Sequence, residues 1–193
     1  MEPGYPLPAD AVPAVRSPLA PPAGASLPAH YPGCFACGSD HADGLLLRAV
    51  AGEGVAVTAR VDITGAHQGA PGLAHGGIVA TALDETQGFV LWLLASAGVT
   101  AKLEIQYRQP VPIGHTVVTR GWCTGIAGRK VFTAADMHLD DADGPLLAQS
   151  SGLFIVVGEE HFAPFIANAA GSVAGRVNPR DVRDHIGGTS INP

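Results

Sequence analysis

The spacing of apolar residues changes character along the chain. Up to about Pro28 it has no period: Pro, Ala and Gly dominate. Such a segment cannot bury enough apolar surface to offset the entropy of ordering, so residues 1–29 are expected to form a mobile N-terminal segment. From His30 on, short apolar runs are punctuated by turn residues. Gly44 to Val50 and Val55 to Val61 flank Gly52-Glu53-Gly54, and the second run alternates through Val55, Val57, Ala59 and Val61, which predicts a hairpin. A loop from His67 to Ala74 follows, containing Gly69, Pro71 and Gly72. Between about Gly76 and Ala97 the period lengthens to that of a helix, with Ile78, Val79, Ala82, Leu83, Phe89, Val90, Leu93 and Leu94 on one wide apolar face. After Gly98 alternation returns: Ala101, Leu103, Ile105 and Tyr107 face one way, Lys102, Glu104, Gln106 and Arg108 the other. Three more extended runs, His115 to Thr124, Arg129 to Asp140 and Leu146 to Val157, are separated by glycine-containing turns.

One long helix among strands joined by hairpin-length connections predicts an α+β architecture with an antiparallel sheet of five or six strands, because parallel pairing would need longer crossovers. The folded unit is expected over 30–158. Residues 159–193, which mix Gly, Asn, Pro and charges, are expected to form a C-terminal tail. No internal repeat or second domain is visible.

Composition narrows the partners. Hydrophobic residues make up 47% of the chain and charged residues 15%, enough for a sizeable core but little charged surface, which predicts self-association. A net charge of -6 argues against a nucleic-acid groove. The longest apolar stretch, Phe89 to Ala97, falls far short of the roughly 20 residues that span a bilayer, and no basic start followed by an apolar segment marks a signal peptide. No membrane partner is expected. A cytoplasmic protein with reduced thiols is the expectation, because Cys34, Cys37 and Cys123 are too few for a secreted disulfide framework.

The predicted helix carries the candidate chemistry. Opposite its apolar face lie Gly77, Ala80, Asp84, Gly88 and Leu91, small or apolar residues where a solvated helix would show Lys and Glu. That face is therefore expected to lie close to a ligand or to a second copy of the protein. An ionised carboxylate in the middle of it costs several kcal/mol unless it is hydrogen-bonded or reaches a pocket. Asp84 is thus either a reactive carboxylate or a packing group bonded to a neighbouring backbone or Thr hydroxyl. Glu85 falls between the two faces and reads as an edge residue. Gly76 and Gly77 open the helix start, where first-turn N–H groups lack intrahelical partners and carry the positive end of the helix dipole, to a substrate carbonyl. Two glycines after His75 also fit a tight loop-to-helix junction. Their combination with Asp84 is what points to a site.

His75-Gly76-Gly77-Ile78-Val79-Ala80-Thr81-Ala82-Leu83-Asp84-Glu85, preceded by Gln68-Gly69-Ala70-Pro71-Gly72, resembles the hotdog-fold acyl-CoA thioesterases of the PaaI and THEM4-like type. So do Thr100-Ala101-Lys102-Leu103, the run Tyr107 to Gly114, and Cys34-Phe35-Ala36-Cys37-Gly38 with Gly44-Leu45. The resemblance covers about Cys34 to Val157. It implies a hotdog fold, a curved antiparallel sheet wrapped round a long central helix, in a homodimer or dimer of dimers with sites between subunits. By the same resemblance Asp84 is the catalytic carboxylate, Gly76 the carbonyl-polarising N–H, His75 the motif histidine, and Thr100 the hydroxyl that orients water or the acid. Gly77, Gln68, Gly69, Lys102 and Arg108 are the expected substrate contacts. The chain departs from PaaI-like relatives at Gly69, where they carry Asn; Gln68 is the nearest amide.

A thioester carbonyl is electrophilic and a thiolate leaves readily, so a carboxylate acting as base or nucleophile beside an oxyanion site suffices. No cofactor and no metal are expected. His30, Cys34, Cys37 and His41 have the spacing of a zinc site, yet a single CxxC is a weak sign, and a packed loop with free thiols is the expected reading. Lys102, Arg108, Arg120, Arg129 and Lys130 are candidates for coenzyme A phosphates or solvated strand positions. The alternatives are a hotdog enzyme acting on a carrier-protein thioester, as thioesterase or dehydratase, and a non-catalytic acyl-binding protein.

Overall fold

The computed structural model describes residues 4–164. The tail expected over 159–193 lies outside the described residues from 165 on. Among the described residues the strands are β1 (Ser26–Leu27), β2 (Arg48–Ala51), β3 (Ala56–Asp62), β4 (Gln68–Ala70), β5 (Leu73–Ala74), β6 (Gly98–Tyr107), β7 (Thr116–Ala127), β8 (Lys130–Leu139) and β9 (Leu146–Val156), and the long helix is α1 (Gly76–Val90). Seven strands form one antiparallel sheet in the order β1-β2-β3-β7-β8-β9-β6, and β4 and β5 pair separately at the mouth of the helix. The sheet exceeds the expected five or six strands by the two-residue β1, which comes from the proline-rich segment.

That segment differs from what its composition predicts. Val12 bridges Ile126, the Ser17 N–H donates to Leu93 O, and Leu27 is buried at β1, which pairs with β2. The Arg16 guanidinium donates to the Gly52, Gly54 and Pro21 carbonyls. Neighbouring backbone and sheet thus supply partners that a composition-based reading cannot foresee.

α1 packs its apolar side, with Val79, Ala82, Leu83, Phe89 and Val90 almost wholly buried, on β3, β7, β8 and β9. Two glycines permit the close approach. A Cβ at Gly121 would lie 3.0 Å from Thr86 Cγ2, and one at Gly152 would lie 2.5 Å from Gln87 Oε1. Buried polar side chains then lock helix to sheet. Gln87 donates to Ser150 Oγ (2.9 Å) and accepts from Thr133 Oγ1 (2.7 Å), and the Thr86 and Thr119 hydroxyls bond at 2.7 Å. Each of these side chains finds a partner, so hydrogen bonds offset the desolvation cost of burying them.

Two boundaries shift from the sequence pattern. The helical run expected to reach Ala97 becomes a 3-10 turn at Leu91–Leu94 and ends at Ala95, whose φ of 50 reverses the chain. Gly98 then passes so close to Leu91 that a Cβ would come within 2.4 Å of its Cδ2. The strand expected from Gly44 starts only at Arg48. Leu46 is left-handed, with a φ of 47, and the Leu45 and Leu47 N–H groups bond Phe35 O and Ala36 O.

Candidate active site

The helix start is built by the loop before it. His75 is the N-cap of α1, and its Nδ1 accepts from the Gly77 N–H at 2.9 Å. One first-turn donor is thereby used, while the Gly76 N–H has no intrahelical acceptor by position and no other partner among the described residues. His75 is itself held by its N–H donating to His67 O (2.8 Å), and His67 is buried, with Nδ1 accepting from the Thr64 N–H (3.1 Å).

Gly69 lies against the back of this cap. A Cβ there would sit 2.5 Å from His75 Cα and 2.7 Å from its Cβ, so this backbone leaves no room for a side chain at the position of the PaaI-like Asn. Gln68 is spent locally, its Oε1 accepting from the Gly72 N–H (3.1 Å). Gly76 and Gly77 are exposed.

Asp84, two turns further along α1, is half-buried. Thr100 Oγ1 at the start of β6 donates to Asp84 Oδ1 at 2.9 Å, and Oδ2 receives no hydrogen bond among the described residues. Burial raises the Asp84 pKa above the ordinary carboxylate range; the Thr100 hydrogen bond works against that rise, the charge of Glu85 adds to it, and His30 opposes it. The group is thus positioned through one oxygen and open at the other.

Tyr107, at the far end of β6, closes the side of the helix start. Its Oη donates to Gly76 O at 3.0 Å, and with Ala74, Gly76, Val79 and Val111 it lines a cleft of about 300 Å³. Alternation places Tyr107 on a strand face, but nothing in the sequence marks it as a neighbour of Gly76. Arg108 borders the same cleft, with its guanidinium donating to Gln106 and Gln149. Lys102 is not brought to the site. It pairs with Glu104 at 3.4 Å and lies 4.4 Å from the Tyr5 ring centroid, on the strand face opposite Leu103 and Ile105. Arg120 is engaged by Asp136 through two bonds of 3.0 and 2.8 Å.

Glu85, expected at the helix edge with its head reaching water or a partner, finds a partner. Its side chain is 13% exposed, and Oε1 lies 2.7 Å from His30 Nδ1 and 3.7 Å from Cys34 Sγ. His41, the other histidine of the CxxC cluster, turns away to Gly33 O at 2.9 Å.

The sheet wrapped on a central helix is a hotdog fold, and the family model described as the thioesterase superfamily matches residues 71–144. Acyl-coenzyme A thioesterase THEM4 of Xenopus laevis is 38% identical over 88 residues, 46% of this chain and 39% of that protein. The matches span 35% to 50% of the length of the curated relatives. Among solved structures, the thioesterase superfamily protein RHA08564 superposes with a TM-score of 0.52 at 32% identity, covering 56% of this chain and 53% of that one. The E. coli PaaI protein of the phenylacetic acid degradation operon shares the fold with a TM-score of 0.55 at 14% identity, over 61% of this chain and 83% of that one.

Proposed function

We propose that the chain hydrolyses acyl thioesters, with acyl-CoA as substrate and water as the only co-reactant. The observation that carries this reading is Asp84 held through one oxygen by Thr100, with the other open, on the same helix whose N-terminal Gly76 N–H is unpaired. The thioester carbonyl oxygen accepts from Gly76 and takes on the developing negative charge, which the dipole of α1 stabilises. Asp84 either removes a proton from the attacking water or attacks the carbonyl itself; the thiolate then leaves and is protonated, and in the second route water cleaves the acyl–Asp84 anhydride to release the acid and restore the carboxylate. The name of the THEM4 relative agrees with coenzyme A as the leaving group.

Within one chain Gly76 and Asp84 are eight residues apart, about 12 Å along the helix at 1.5 Å per residue, too far to serve one carbonyl. The reading therefore needs two copies, with the Gly76 N–H of one facing Asp84 of the other. Strand β6, which carries Thr100, pairs only with β9 among the described residues and leaves its other edge for such an assembly, a homodimer or dimer of dimers. Gly77 lines the approach in this reading, His75 and Gly69 set the helix start, and the thiols fit a cytoplasmic compartment.

The test is turnover by the purified chain of aromatic, short-chain and long-chain acyl-CoAs and one carrier-protein thioester, with release of free thiol measured. Hydrolysis of an acyl-CoA above the rate in buffer is expected. Preference for the carrier-bound thioester would move the reading to a biosynthetic enzyme, and binding without turnover would overturn catalysis.

A further inference from the structure

The side-chain cluster on the opposite flank of α1 has no part in thioester chemistry. The loop Cys34-Phe35-Ala36-Cys37-Gly38 folds into a tight knuckle: the Gly38 N–H donates to Cys34 O at 2.8 Å, and a Cβ on Gly38 would lie 2.6 Å from both Cys34 N and Cys34 O. Bonds from the Leu45 and Leu47 N–H groups to Phe35 O and Ala36 O tie the knuckle to the strand that follows and set it over α1. His30 is fixed beside it, stacked on Phe89 with centroids 4.5 Å apart, its N–H directed to Cys37 Sγ at 3.2 Å. The fourth partner, Glu85, stands 51 residues after Cys34 and comes from the helix.

We infer that His30, Cys34, Cys37 and Glu85 form a binding site for a divalent cation of the zinc type. Zinc bonds of about 2.0–2.3 Å in a tetrahedron place ligand atoms about 3.3–3.8 Å from one another. Cys37 Sγ lies 3.6 Å from His30 Nδ1, and Cys34 Sγ lies 3.7 Å from Glu85 Oε1. His30 Nδ1 and Glu85 Oε1, at 2.7 Å, share a hydrogen bond that a cation would replace with a slightly wider pair. The His30, Cys37 and Glu85 ligand atoms all fall within 4.8 Å of one another. One imidazole nitrogen, two sulfurs and one carboxylate oxygen make a donor set that a borderline-soft cation prefers to magnesium or calcium.

Metal binding needs both sulfurs as thiolates and His30 as a neutral imidazole, so a cation entering the site displaces their protons. A cation there would clamp the knuckle to α1 one residue from Asp84, positioning the helix without touching substrate.

The experiment is metal analysis of the full chain purified without added chelator, followed by cobalt(II) titration of chelator-treated protein. About one equivalent of zinc per chain is expected, and cobalt should give thiolate-to-metal charge transfer and the visible bands of a tetrahedral site. Cys37→Ser and Glu85→Gln should each lower zinc occupancy at least tenfold in competition with a chelator, while His41→Ala and Cys123→Ser retain it. Metal-free protein that develops no cobalt–thiolate absorption overturns the inference on the wild type alone, even if a variant fails to fold. A Cys34–Cys37 disulfide in protein kept under reducing conditions overturns it too, as does zinc retained by Cys37→Ser.

Discussion

Gly69→Ala tests how the helix start is held. The added Cβ would sit 2.5 Å from His75 Cα, 2.7 Å from His75 Cβ and 2.9 Å from Cδ2, where carbon atoms normally keep about 3.5–4.0 Å. The obstacle is backbone, so relief needs a movement of about 1 Å in His75 or in β4. His75 cannot move alone: its N–H bonds His67 O at 2.8 Å and its Nδ1 caps Gly77 at 2.9 Å, so displacing it displaces the Gly76 N–H. A misplacement of about 1 Å at a reacting group costs on the order of 10²-fold in rate, about 2.7 kcal/mol of transition-state stabilisation. Overpacking of this kind costs about 1–3 kcal/mol of stability, a fall in melting temperature of roughly 2–12 °C for a domain of this size. Steady-state acyl-CoA hydrolysis and thermal melting of the same preparation read both effects. Gly54→Ala serves as control. With a φ of 58 and nothing within 4 Å of a new Cβ, it should lose about 1–2 kcal/mol to left-handed strain and keep its kcat. If Gly69→Ala melts low but keeps kcat within threefold of wild type, the coupling from Gly69 through His75 to Gly76 is wrong.

Asp84→Asn should lower kcat by roughly 10²–10⁴-fold, the usual contribution of a positioned acid–base group, without lowering the melting temperature. The amide oxygen still accepts from Thr100, and no charge is left to desolvate. A variant that keeps a tenth of wild-type kcat would remove Asp84 from the chemistry. Gln87→Leu should destabilise the fold by about 2–4 kcal/mol in urea titration, because the Thr133 and Ser150 hydroxyls, both buried, lose their partner. A loss under 1 kcal/mol would show that the buried polar contacts between helix and sheet are dispensable.

Much of this protein was legible in the order of its residues. The family motifs left open whether Thr100 meets water or the acid, whereas the α+β class, the long helix and the hairpins follow from apolar periodicity and turn residues. These are local properties, or patterns that one dominant packing arrangement satisfies. What only the tertiary structure decided is where distant groups meet. Glu85 lies between the helix's two faces and reads as an edge residue reaching water or a partner, and only the fold shows that the partner is a knuckle 51 residues earlier. Lys102 sits within a site motif yet faces the other side of β6 beneath Tyr5, and Gly69 must be glycine because His75 passes behind it. The proline-rich start finds its partners in strand edges and carbonyls from elsewhere in the chain. Contacts of this kind depend on the three-dimensional path of the whole chain, so no window of sequence contains them.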